Sequence, residues 1–151
     1  MKITAHFITA LIITTSTMIS AQESDSDQLL LGDWQCRYDI MGFKDTAHLS
    51  YRSDHTMTGS FDFVYPGMHG KGAFGLSLDV EGNWKILNGF LVEDYKPNKT
   101  RLNIAYGFTP EDNNRFQGDG LMKNKAEILA LTKNELVLKE QDGNRTSCNR
   151  G

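Results

Sequence analysis

The sequence is poor in the residues and motifs that make reactive sites. Its 151 residues contain only two cysteines, Cys36 and Cys148. Their wide separation excludes the closely spaced thiol pair of a redox centre or metal clip. There is no Gly-x-Ser-x-Gly elbow, no P-loop and no His-Glu-x-x-His, so the common routes to serine hydrolysis, nucleotide binding and zinc proteolysis have no local signature. Nor is there a close histidine pair. Beyond the leader described below, His48 falls on the polar face of an expected strand, His55 in a turn and His69 in a glycine-rich loop, without the converging spacing that a metal site needs. Basic residues are not clustered, and 19 acidic against 16 basic side chains give a formal charge of −3, which speaks against a nucleic-acid footprint. Only three prolines are present, and no linker-like stretch divides the chain. The expectation is one compact domain, not an enzyme, with no metal and no cofactor.

The only long apolar stretch lies at the start. Lys2 supplies a positive n-region, residues 3–19 are apolar or small and hydroxylic without an acid, and Ser20 and Ala21 are small enough for a signal-peptidase site. A polar run over residues 22–28 follows at once, which disfavours a membrane anchor. Residues 1–21 are therefore read as a cleaved export signal and residues 22–31 as a linker or barrel-floor segment, leaving residues 32–151 as the domain. Cleavage removes Lys2 and no acid, taking the charge to −4. The expected location is periplasmic or secreted, with no stable membrane anchor. In such an oxidising compartment the two cysteines are expected to form a structural disulfide.

What the sequence has in abundance is alternation with a period of two. Trp34, Cys36, Tyr38 and Ile40 alternate with polar residues, as do Ala47, Leu49 and Tyr51, and then Met57, Phe61, Phe63 and Tyr65. This is the pattern of half-buried strands. Residues 66–72 hold a proline and three glycines and read as a loop. Further strands are expected over 74–80, 83–87, 90–96 and 101–108, with turns at Glu81-Gly82 and Asn88-Gly89. Thr109-Pro110-Glu111-Asp112 carries a helix-start signal. Strands then resume over 126–132, 135–140 and 145–148. Some eight to ten short strands argue an all-β, antiparallel sandwich or barrel, with one short helix or helical turn before the last three strands. A disulfide between Cys36 in the first strand and Cys148 in the last favours an up-and-down barrel, because closure is what places those strands side by side.

The opening Gly32-Asp33-Trp34 is similar to the Gly-x-Trp opening of lipocalins. Gly82-Asn83-Trp84-Lys85-Ile86 followed by Gly89-Phe90-Leu91 resembles the mid-barrel hairpin of small bacterial lipocalin-like domains. The resemblance implies a calycin-type barrel with a ligand in its mouth, a floor closed by residues 29–31, and a late basic residue, Arg145 or Arg150, across Trp34.

The expected inward face is rich in aromatics: Trp34, Tyr38, Tyr51, Phe61, Phe63, Phe74, Trp84 and Tyr106. Trp34 and Trp84 are assigned to core filling near the barrel ends. Tyr38, Tyr51, Phe61, Phe63, Phe74 and Tyr106 are the candidate pocket lining. The strand after Asn88-Gly89 sends an acid inward in either register, Asp94 with Phe90 and Val92, or Glu93 with Leu91 and Tyr95. An inward Glu93 is a candidate ligand contact. The alternative is an edge strand or bulge that leaves both acids in water. Two functions follow: a carrier of a small apolar or amphipathic ligand, or a filled barrel of inhibitor or immunity type that meets an envelope protein through loops near residues 65–71 and 94–99.

Overall fold

A computed structural model of the chain describes residues 25–40, 43–65, 74–105 and 120–151. Helix α1 spans residues 25–30. It is followed by β1 (Gly32–Ile40), β2 (Phe43–Tyr51), β3 (Thr56–Tyr65), β4 (Phe74–Leu87), β5 (Phe90–Ala105), β6 (Met122–Leu131), β7 (Glu135–Lys139) and β8 (Arg145–Arg150). Each strand pairs antiparallel with the next and β8 pairs with β1, so the sheet is a closed eight-stranded barrel. The architecture agrees with a calycin-like fold.

Alternation sets the pleat of the first strands. Trp34, Cys36, Ala47, Leu49, Tyr51 and Met57 are buried while Gln35, Arg37, Thr46, His48 and Thr58 are exposed. A one-residue slip would turn every one of these apolar side chains to water, so the register is strongly specified.

Two expected breaks are absent. Glu81-Gly82 is not a turn: β4 runs unbroken through it, and Gly82 pairs with Met57 on one side and Tyr95 on the other. Gly82 is needed for close approach, since a Cβ there would lie 2.1 Å from the Asp94 carbonyl oxygen. Likewise residues 90–96 and 101–108 are not separate strands. β5 is continuous over its 16 residues and absorbs its irregularity in register shifts opposite Gly75/Leu76 and Asp79/Val80. Pro97, which has no N–H to donate, sits beside the second shift, where the ladder is already disturbed. These two fusions reduce the expected ten segments to eight. The helix expected after Thr109 lies outside the described residues, and the helix among them is α1, before β1.

The end of the barrel next to α1 is filled. Leu30, Trp34, Leu49, Met57, Val80, Trp84, Leu91, Ala126, Leu136 and Leu138 form its core with the disulfide-bonded Cys36 and Cys148. Those cysteines are register partners across the β1–β8 seam, 3.9 Å apart at Cα. Trp34 Nε1–H donates to the Leu30 carbonyl at 2.7 Å and ties α1 to the floor. Arg150 lies over the Trp34 ring, its guanidinium carbon 4.2 Å from the centroid. It also donates to the carbonyls of Leu29 (2.7 Å), Lys133 (2.9 Å) and Leu31. The late basic residue that the resemblance implied is thus Arg150, and β8 extends two residues past its expected end at Cys148 to place it.

Candidate ligand-binding site

Antiparallel neighbours put the C-terminal ends of β1, β3, β5 and β7 at the end of the barrel away from α1. The half of the interior away from α1 holds a cavity of about 360 Å³, lined among the described residues by Tyr38, Phe61, Phe63, Glu93, Tyr95, Lys123, Asn124, Glu140, Gln141 and Asp142. Its walls come from β1, β3, β5 and β6 and from the β7–β8 turn.

Three aromatic contacts radiate from Phe61. It stacks on Phe63 with centroids 6.0 Å apart and on Tyr95 at 5.8 Å, and meets Tyr38 tilted at 6.2 Å. Phe61 and Phe63 are successive inward residues of β3, while Tyr38 and Tyr95 come from β1 and β5. Barrel curvature brings these distant segments together as one aromatic wall.

Glu93 faces inward, 4% exposed. A closed barrel has no edge strand through which the acid can reach water, and the β5 register shifts fall beyond it, so the alternative placing of Glu93 in solvent is overturned. Its carboxylate is satisfied from two strands: the Tyr51 hydroxyl donates to Oε1 at 2.6 Å and Asn124 Nδ2–H donates to Oε2 at 3.1 Å. Burial pushes the Glu93 carboxyl above its ordinary range, the hydrogen bonds from Tyr51 and Asn124 oppose that rise, and the charge of Glu140 adds to it. Burial, and then the charge of Glu93, likewise raise the phenols of Tyr38, Tyr51 and Tyr95, the last to about 12. All three therefore stay neutral hydrogen-bonding groups at ordinary pH. Glu140 accepts from the buried Thr146 hydroxyl at 2.6 Å.

Of the sequence-derived candidates, Tyr38, Phe61, Phe63 and Glu93 line the cavity together. Tyr51 lies behind it, packed edge-on against Trp84 at 5.8 Å and holding Glu93. Phe74 occupies a backbone position opposite Tyr65 and Ala105. Its side chain, and the whole of Tyr106, fall outside the described residues, as do His69 and the loop over 66–72. Trp34 and Trp84 are buried in the filled half. His48 is exposed on β2, and His55 turns the β2–β3 connection with its ring 4.8 Å from that of Trp84. Residues 94–99, expected as a contact loop, are part of β5.

Sequence reasoning left Tyr95, Lys123, Asn124, Glu140, Gln141 and Asp142 out of the lining. Tyr95 had a signal, since it shares the face of Glu93 two residues on. Asn124 precedes the strand expected from residue 126, but β6 begins at Met122 and Asn124 pairs with Glu93 in the β5–β6 ladder. Glu140, Gln141 and Asp142 belong to a turn in which Asn144 N–H donates to Asp142 at 2.9 Å, and no local pattern says that a surface turn borders a cavity.

No protein-family model and no characterised protein matches the chain. The functional reading therefore rests on the site.

Proposed function

We propose that this is an exported lipocalin-like protein that holds a small apolar or amphipathic molecule in the half of its barrel away from α1. The observation that carries the reading is the cavity of about 360 Å³, at the lower end of the usual pocket range of roughly 300–1,000 Å³. Its aromatic wall offers apolar area, and the carboxyl, amide and phenol groups opposite fix orientation. Gly32, Trp34 and Arg150 support the lipocalin likeness at the floor. A Cβ on Gly32 would lie 2.6 Å from the Arg150 guanidinium, so the glycine makes room for the stack on Trp34. Export is supported by residues 1–21 and by the disulfide, which persists in oxidising compartments. No helix among the described residues is long and apolar enough to cross a membrane.

The test has two parts. Protein recovered from the periplasmic or secreted fraction is examined by native mass spectrometry, and the same protein is titrated with neutral N-phenylnaphthylamine. A bound small molecule, or saturable fluorescence enhancement, is expected. If neither appears, while an envelope protein co-purifies in a defined complex, a loop-binding inhibitor or immunity role replaces the carrier reading.

A further inference from the structure

Resting on the carrier reading, we infer that the ligand is a small organic cation, an ammonium or related group on an apolar body. Its charge would sit against Glu93 and Glu140 and its body against Tyr38, Phe61, Phe63 and Tyr95.

The inference starts from the excess of acidic over basic side chains among the described residues around the cavity. Among the described residues, Glu93, Glu140 and Asp142 line the cavity, and Lys123 is the only basic side chain beside them. Lys123 is exposed, whereas Glu93 is buried. The salt bridges among the described residues join Lys96 to Glu81, Arg101 to Asp79 and Lys139 to Glu127. None involves a residue of the cavity. Glu93 is held by a phenol and an amide, which orient a carboxylate without cancelling its charge. A buried carboxyl group avoids the cost of an isolated charge by holding a proton or by pairing with a counter-charge, and an entering cation supplies the second in place of the first.

The second observation is the kind of wall that faces these carboxylates. Four aromatic side chains line the same cavity, three of them in contact with Phe61. Ring faces carry negative quadrupole potential and attract an ammonium or guanidinium within about 6 Å of the centroid, most strongly when water is excluded. Aromatic rings and carboxylates that make no salt bridge among the described residues both select positive charge. A purely apolar ligand would leave Glu93, Glu140 and Asn124 without polar partners on its side. An anion would meet Glu93 and Glu140 with like charge.

Three probes of matched shape separate these cases: the phenylbutylammonium cation, phenylbutanol and phenylbutanoate, titrated by calorimetry into the intact mature protein alongside N-phenylnaphthylamine. The cation is expected to bind at least about tenfold more tightly than the alcohol, a gap within the reach of one ion pair with a cation–π contact. The carboxylate is expected to bind most weakly. Glu140→Gln and, separately, Glu93→Gln should reduce the ratio of cation to alcohol affinity, and a ratio unchanged in both variants overturns the assignment. Comparison within the wild type requires no variant to fold. Equal or tighter binding of the alcohol or the carboxylate overturns the cation assignment and leaves the carrier reading standing. If neither the three probes nor N-phenylnaphthylamine binds, both fail.

Discussion

Glu93 is an acid buried inside the barrel, which accommodates it with one phenol and one amide. Its raised carboxyl pKa means that the folded protein holds a proton more tightly than the unfolded chain does. As pH rises from the ordinary carboxyl value of 4.5 through the raised one, the unfolded state releases its proton first. The fold therefore loses stability across that window, by about 1.4 kcal/mol per pH unit while the proton is held only in the folded state. The lowered carboxyls of Asp54 and Asp79 act below 3.8 and the raised tyrosines above 10.0, outside this window. Thermal unfolding of the ligand-free protein is expected to shift to lower temperature as pH rises above the ordinary carboxyl value of 4.5. Glu93→Gln should flatten that slope, and a variant that keeps the wild-type slope would show that another group is responsible.

Strands β4 and β5 show how an element can contradict its local signals. Glu81-Gly82 has turn composition and Pro97 has breaker composition, yet both lie inside the longest hairpin of the barrel. Gly82 is where the two backbones crowd, and any side chain there meets the Asp94 carbonyl and Tyr95 Cα rather than the far end of a flexible group. Gly82→Ala is expected to destabilise the barrel by about 1–3 kcal/mol through strain of this kind. It should also increase amide exchange selectively in the β4–β5 pairs around Glu81 and Tyr95. A denaturation midpoint unchanged from wild type would mean that the hairpin can part at no cost. The same region shows what was legible: the Asn88-Gly89 turn follows from sequence pattern, whereas the inward register of Leu91 and Glu93 and the continuity of β4 depend on pairing with other strands. A pairing partner distant in sequence leaves no mark on a local window.

For the molecule as a whole, closure depends on one seam, β1 against β8, where five residue pairs and the Cys36–Cys148 bond join the first strand to the last. The bond spans 112 residues of sequence, so in the chain-entropy account it removes freedom from nearly the entire unfolded domain. Replacing both cysteines with alanine is expected to cost about 2–5 kcal/mol. Because Arg150 also clasps α1, Trp34 and Lys133 across the floor, the variant is expected to remain folded at low temperature, with the seam the first region to exchange its amides. Loss of far-UV circular dichroism at all temperatures would instead make the disulfide a condition of folding.

The sequence by itself determined the class of fold, the pairing of its two cysteines and the identity of the inward face through Trp34, Cys36, Leu49, Tyr51 and Met57, because alternation of polarity is local and its solvent partner is always water. It also nominated Tyr38, Phe61, Phe63 and Glu93. The tertiary structure decided that Glu93 points inward, that Arg150 rather than Arg145 covers Trp34, and that Asn124 and Glu140 stand beside the same cavity. Those are relations between residues far apart in the chain, set by barrel closure and strand register, and no pattern of neighbouring residues encodes them.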